Sequence, residues 1–175
     1  MAHDHAHHGH EAAMSRKGRD QHRAHSDNAY PLFALNMALS LVAMYFLMFT
    51  MVDTWGDFHN NLNMALMALT MLAPMGVLML ALMGEMYPNR RLNIVLYVGF
   101  ALVFVLALFG IRTQTPIGNE QFIASMIPHH SGAILMCREA DITDAELRTL
   151  CDGIETGQRH EIEQMKTILT RLQSS

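Results

Sequence analysis

Residues 62–84 read LNMALMALTMLAPMGVLMLALMG and contain no Lys, Arg, Asp or Glu. Residues 31–52 and 92–111 are two further runs that lack these four residue types. A helix of about 20 apolar residues is long enough to cross the hydrocarbon core of a bilayer. The chain is 51% hydrophobic and 16% charged, which is too apolar for an ordinary soluble domain. We therefore predict an all-α membrane domain over residues 29–112, with three transmembrane helices at these runs and lipid around them.

The distribution of Lys and Arg predicts how the spans are oriented. Four such residues lie at positions 16–23, before the first span, and none lies between the first and second spans. Arg90 and Arg91 lie between the second and third spans. Because Lys and Arg are enriched in cytoplasmic segments, we expect a bacterial inner-membrane protein with a cytoplasmic amino terminus and a periplasmic C-terminal domain. A cleaved signal peptide is the alternative interpretation of the first span, although its apolar run is long for one.

The first 28 residues are rich in histidine and poor in apolar residues, so we expect them to be a disordered tail on the cytoplasmic side. Histidines at near-alternating positions favour weak, auxiliary binding of Cu(II), Ni(II) or Zn(II). An inert polar tail or an added tag is the alternative. These tail histidines are His3, His5, His7, His8 and His10. The net charge of −4, without a basic stripe, does not favour nucleic acid as a partner.

Methionines recur at spacings of three and four along the second span and form a narrower stripe on the first, so each set shares one helix face. If the two faces meet, they form a thioether-rich seam along which cuprous ions could move. The alternative is that these are ordinary flexible apolar residues that pack between helices or face lipid. The seam methionines are Met44, Met48, Met64, Met67, Met71, Met75, Met79 and Met83. Between these spans, Asp53, Asp57 and His59 are expected in a solvated loop rather than in a metal site.

The remaining residues, 113–175, predict a soluble domain made of two amphipathic helices, over about 120–140 and 144–172. Thr143 and Glu146 have the spacing of a capping box at the start of the second helix, and the short link makes the pair an antiparallel hairpin. A hairpin of this size buries little apolar surface by itself. We therefore expect a homodimer or higher oligomer in which two hairpins complete a four-helix bundle.

The first helix of the hairpin carries FIASMIPHHSGAILMC, residues 122–137. Met126, His129 and Met136 share one helical stripe, and His130 and Cys137 share the adjoining one. Thioether, thiolate and imidazole together favour cuprous copper or silver over hard cations. The alternative is that the two histidines form a buried polar layer that fixes the register of the bundle.

Pro128 lies within this helix and has no N–H group. It therefore leaves the carbonyl of Ala124 without its helical donor, so that a side chain or a water could fill the gap.

Both helices carry spaced residues that form one pattern. They are Phe122, Met126, Ile127, His129, His130, Ala133, Ile134 and Met136 on the first helix, and Ile154, Gln158, Glu161, Ile162 and Met165 on the second. In this pattern the hairpin resembles the domain-of-unknown-function 305 family, over about residues 119–172. Members are generally ferritin-like helical bundles, and those described are similar to periplasmic copper-binding proteins of copper or silver tolerance. This chain has one hairpin where longer members have two in tandem, which favours oligomerisation.

With this resemblance, the expected ligands of a cuprous ion are Met126, His129, His130, Met136 and Met165, with His160 as an outlying candidate. We expect Gln158 and Glu161 to orient the imidazoles across the hairpin. Cys137 and Cys151 are the only cysteines, and in a periplasmic domain they favour a disulfide, with a thiolate pair at the metal site as the alternative.

The function expected is copper or silver homeostasis, in which the chain serves as a chaperone, sensor or buffer that exchanges metal with a donor or acceptor protein. We do not expect an enzyme, since no catalytic triad, phosphate-binding loop or paired-carboxylate motif is present. The two alternatives are a Met-lined component of cuprous-ion transport and a purely structural oligomerisation module.

Overall fold

The computed structural model describes residues 29–174, so the tail histidines lie outside the described residues. Its main elements are five helices: α1 over residues 29–47, α2 (Leu62–Leu82), α3 (Arg90–Thr113), α4 (Asn119–Glu139) and α5 (Ala145–Gln173). Short 3-10 turns follow α1 and α2, and no strand occurs between residues 29 and 174. The prediction of an all-α fold is confirmed.

Three helical segments are long and apolar enough to cross a membrane: Ala29–Met51, Leu62–Leu82 and Arg90–Thr113. Each predicted boundary lies within two residues of these limits. Most large side chains on the three segments are exposed in the single chain, as expected of surfaces that contact lipid instead of water. The chain therefore has three helices suited to membrane association.

The three spans pack through aromatic and small residues. At Gly76 of α2, an added Cβ would lie 2.5 Å from the Phe100 ring of α3, so the ring would have to shift to admit any larger residue. Phe33 of α1 packs edge-on against Phe100 with ring centroids 6.0 Å apart, and also against Tyr87 at 5.5 Å. The Tyr30 hydroxyl then donates to Asn93 Oδ1 at 2.9 Å and closes the bundle at the end that carries the first described residues.

The hairpin of α4 and α5 has a core of isoleucine and leucine. Ile123, Ile127 and Ile134 from α4 pack with Ile162 and Leu169 from α5. These positions recur every three to four residues or in multiples of that spacing, so they lie on one face of each helix. The packing agrees with the predicted antiparallel hairpin.

The start of α5 differs from the prediction by one residue. Asp144, not Thr143, is the N-cap, and its side chain accepts a hydrogen bond from the Leu147 N–H at 2.8 Å. A carboxylate at this position both satisfies a free N–H and interacts favourably with the positive end of the helix dipole. The capping-box assignment is therefore wrong, although the predicted helix start is nearly correct.

Candidate functional site

The helix α4 presents three faces, because it contacts two different parts of the chain. One face packs on α5. A second packs on residues 52–61, which connect the first two spans and which we call the docking loop. The third face, the outer stripe, is covered by neither. It consists of Phe122, Met126, His129, Ala133 and Met136, at spacings of four, three, four and three residues.

The outer stripe is accessible in the single chain. Phe122 is 50% exposed and Met136 is 54% exposed. His129 is also exposed, and Met126 is half-buried one turn away. The structure thus places Met126, His129 and Met136 on one accessible surface that carries soft donors and no carboxylate.

His130 faces α5 and its side chain is only 15% exposed. Glu161 Oε2 lies 2.9 Å from His130 Nδ1, but out of line with the ring, so Nδ1 has a close contact with a carboxylate oxygen and no aligned hydrogen bond. Gln158 Oε1 is also buried and has no hydrogen-bond partner within residues 29–174. A buried polar atom left unsatisfied costs about 1–3 kcal/mol. The middle of the hairpin is therefore a favourable place for a further polar group or ion.

The other predicted ligands are dispersed. Met165 packs on the hairpin core, and His160 is exposed on α5. The rings of His129 and His130 are 6.2 Å apart between centroids. Among the described residues, no three His, Cys, Asp or Glu side chains come together as a potential metal site. The predicted ligands therefore do not converge on one point within residues 29–174.

Cys137 and Cys151 form a disulfide, with Cα atoms 5.4 Å apart, near the turn of the hairpin. The sequence left two alternatives open for these cysteines. A disulfide sulfur is not a thiolate, so in this state the pair does not supply thiolate ligands. The bond instead fixes α4 against α5 two turns beyond His130.

The docking loop is where the structure departs most from the sequence interpretation. Asp57 accepts hydrogen bonds from the Ser131 hydroxyl and from Lys166 Nζ, both at 2.7 Å, and from the Thr54 hydroxyl at 3.0 Å. Its side chain is only 6% exposed. The expectation of a solvated loop is therefore wrong, because residues far along the chain satisfy this carboxylate in the interior.

The pKa of Asp57 reflects this environment. Burial alone raises it, but the hydrogen bonds from Lys166, Ser131 and Thr54 and the positive charge of Lys166 outweigh burial. The net pKa lies below the ordinary value for an aspartate. Asp57 is therefore a stable anion that joins the loop to both helices of the hairpin.

A second carboxylate extends the same interface. The side chain of Asp53 is almost fully buried and pairs with Arg138, while Arg159 Nη1 approaches its other oxygen to 3.6 Å. The Asp53 backbone N–H donates to the Ser131 hydroxyl at 2.7 Å. At Gly132, an added Cβ would lie 3.2 Å from the carbonyl oxygen of Met51, so the backbone at the end of the first span, just before the docking loop, passes close to α4.

The gap that Pro128 leaves in α4 is filled from the same loop. Asn61 Nδ2 lies 3.4 Å from the free carbonyl of Ala124, and Asn61 Oδ1 accepts from the Met64 N–H as the N-cap of α2. The prediction that a side chain could fill the gap is confirmed. Nothing in the sequence identified Asn61 as that side chain. His59, in the same loop, has a buried Nδ1 with no hydrogen-bond partner in the described part of the chain.

The methionines of the predicted seam face in different directions. Met44, Met75 and Met79 pack against the buried cluster of the three spans, which also contains Met37. Exposed positions are instead occupied by Met67, Met71 and Met83. Met48 and Met64 are half-buried. In a single chain the thioethers therefore do not line one continuous path, because a stripe that spans nearly half a helix also reaches the lipid-facing side.

Comparison with known proteins assigns the hairpin. Residues 113–175 match the family model described as Domain of unknown function (DUF305). "Uncharacterized protein L153" of Acanthamoeba polyphaga mimivirus is 31% identical over 116 residues, which is 65% of this chain and 74% of that protein. A match of that length extends beyond residues 113–175 into the apolar part of the chain. No solved structure matches the chain. The chain belongs to the DUF305 family, and its hairpin is the family domain.

Proposed function

We propose that this protein is anchored in the bacterial inner membrane and that its hairpin binds cuprous copper or silver in the periplasm, in metal homeostasis or tolerance. The orientation rests on the bias of Lys and Arg toward the amino-terminal side. In this role the protein is a binding protein, not an enzyme. It exchanges metal with a donor or acceptor protein.

The observation that carries the proposal is the donor set on the outer stripe. Met126 and His129 lie one helical turn apart, and Met136 lies two turns beyond His129 on the same stripe. Thioether sulfur is a soft donor that favours Cu(I), and imidazole is a common ligand of copper. The exposure of Met136 and His129 gives an ion direct access to these donors.

The same residues fit other metals poorly. A structural zinc site uses four Cys, His or carboxylate ligands, and residues 29–174 bring no three of them together. Calcium and magnesium require several oxygen ligands, which the outer stripe lacks. Cuprous and silver ions accept few ligands and prefer soft ones, so they match the available donors best.

His130 has a supporting role in this proposal. Its position between the helices, close to Glu161, suits an imidazole that a carboxylate orients. The unsatisfied Nδ1 of His130 and Oε1 of Gln158 would gain from a rearrangement when metal binds nearby. Met165 and His160 are the remaining candidates, from α5.

Two other functions remain as alternatives. Transport along a Met-lined path has support from the packing of Met44, Met75 and Met79 against one buried cluster, but the exposure of Met71 interrupts that path within one chain. A purely structural role for the histidines has support from the close contact between His130 and Glu161. The outer stripe favours metal binding over both, since neither alternative requires an exposed His and Met pair.

The test is a cuprous-ion titration of the full-length protein in detergent against a competing chelator. All seven histidines of residues 1–28 are changed to Ala in the parent protein, so that tail imidazoles do not contribute. We expect His129→Ala and Met126→Leu each to lower the affinity at least tenfold. Thr156→Ala, which changes an exposed side chain on α5 that is not a candidate ligand, is the control and should leave the affinity unchanged. A parent that fails to compete for the ion, with its disulfide intact, would support the structural role instead.

A further inference from the structure

The outer stripe has the sequence spacing of a helix that packs against another helix. Apolar or soft residues separated by four, three, four and three positions form the a and d seam of a coiled coil. The two ends of the seam are placed symmetrically about His129, since Phe122 and Met136 each lie seven residues from it, while Met126 and Ala133 lie three and four residues from it. Within residues 29–174 no other helix covers this seam, and its two end residues are about half exposed.

We propose that a second copy of the chain covers the outer stripe, with the two α4 helices antiparallel and the two-fold axis at His129, so that Met126 and His129 of both copies form one soft-metal site. This inference rests on the proposed function and names the partner that completes the site. One copy supplies one imidazole and one thioether close together, and two copies supply two of each. Such a set gives a cuprous ion an N2S2 environment.

The symmetry of the stripe suits this arrangement. In an antiparallel pair centred on His129, each Phe122 lies opposite Met136 of the second copy. Each Met126 lies level with Gly132 of the second copy, which precedes Ala133. A small residue facing a long thioether leaves room for the sulfur to turn toward the axis. The same patch serves both partners, as an isologous two-fold interface requires.

The position of α4 on the spans explains why the occupant is a second copy. Near the start of α4, the Ser125 hydroxyl contacts Asn63 Nδ2 at the beginning of α2, at 3.2 Å. Gly132, two turns later, lies against Met51 at the end of the first span. The helix α4 thus runs across the ends of the spans. Antiparallel helices lying side by side in this way are related by a two-fold axis along the spans, which leaves both chains crossing one bilayer in the same direction.

The interface is small, and that decides how the dimer should behave. Four turns of one helix bury less than the roughly 800 Å² per partner that a stable interface of standard size requires. A shared metal ion would supply the missing free energy, because it binds the paired state and not the separate chains. Pairing should therefore depend on the metal.

The experiment measures mass and metal content together. The full-length parent protein, with its tail histidines changed to Ala, is examined in detergent by light scattering with and without cuprous ion under a competing chelator. Ala133→Glu places like charges near the axis, and Phe122→Lys places a charge against the apolar Met136 of the second copy. Neither change removes a donor. Thr156→Glu, on the exposed surface of α5, is the matched control.

We expect the parent and Thr156→Glu to bind one ion per two chains and to double in mass when it is added. Ala133→Glu and Phe122→Lys should stay monomeric and bind the ion at least tenfold more weakly. One ion per monomer, with unchanged affinity in both stripe variants, would overturn the shared site and leave the proposed function intact. A dimer that forms without metal, and that also forms in both stripe variants, would overturn it too. Failure of every protein to bind cuprous ion would refute the proposed function itself.

Discussion

Asp57→Asn should release the docking loop from the hairpin. The change keeps the size of the side chain but removes the charge that Lys166 Nζ contacts at 2.7 Å. A hydrogen bond to a charged group contributes about 1.5–3 kcal/mol, and breaking a fully buried ion pair costs about 3–5 kcal/mol. Lys166 is 34% exposed, so water recovers part of the loss. The fully buried Ser131 hydroxyl also loses its charged acceptor. We therefore expect docking to weaken by about 2–3 kcal/mol.

Hydrogen exchange at the docking loop measures this loss directly. The Asp53 N–H is held by the Ser131 hydroxyl, so it exchanges only when the loop opens. A loss of about 2–3 kcal/mol corresponds to exchange that is about 30- to 150-fold faster at neutral pH. Asp152→Asn, which changes an exposed carboxylate on α5, is the control and should leave loop exchange unchanged.

The double variant Asp57→Asn with Lys166→Gln tests whether the pair acts as a unit. It should cost less than the sum of the two single changes, because neither group is then left buried without its partner. Loop exchange in Asp57→Asn that stays within about twofold of the parent would refute the reasoning, since the buried carboxylate would then contribute nothing to docking.

Three further results should follow from the structure. Docking should be constant between about pH 5 and 8 and should weaken on acidification. The folded state lowers the pKa of Asp57, so this carboxylate stabilises docking at any pH above its unfolded pKa, and the stabilisation is lost as pH falls through its folded pKa. Hydrogen exchange at the docking loop, measured against pH, checks this. Gly76→Ala should lower the free energy of unfolding in detergent by about 1–3 kcal/mol, since the new methyl group meets the Phe100 ring. Thermal unfolding measures this, and Gly99→Ala, whose methyl group meets nothing within 4 Å, should leave it unchanged. Reduction of Cys137 and Cys151, 14 residues apart, should destabilise the hairpin by about 3 kcal/mol, and exchange near its turn should accelerate.

The sites that the sequence missed are those made by distant residues. Asp57 looked like a solvated loop residue because its neighbours in sequence are polar. Its partners Ser131 and Lys166 lie 74 and 109 residues away, and no local pattern relates them. The signal in Pro128 was readable, because a proline always removes a helical donor. The sequence did not identify the side chain that fills the gap, because that depends on how the docking loop crosses α4.

The sequence by itself determined the elements of this protein: three apolar helices, a hairpin, and the helix faces on which its His, Met and Cys residues lie. Span length, helical periodicity and charge bias are local properties, so they can be read from the sequence without knowledge of the fold. Only the tertiary structure decided that Asp53 and Asp57 hold the hairpin onto the spans, that His130 and Gln158 are left unsatisfied, and that the outer stripe stays open. Each of these depends on how helices pack across long sequence separations, where buried charges and uncovered faces are properties of the assembled surfaces and not of any one segment.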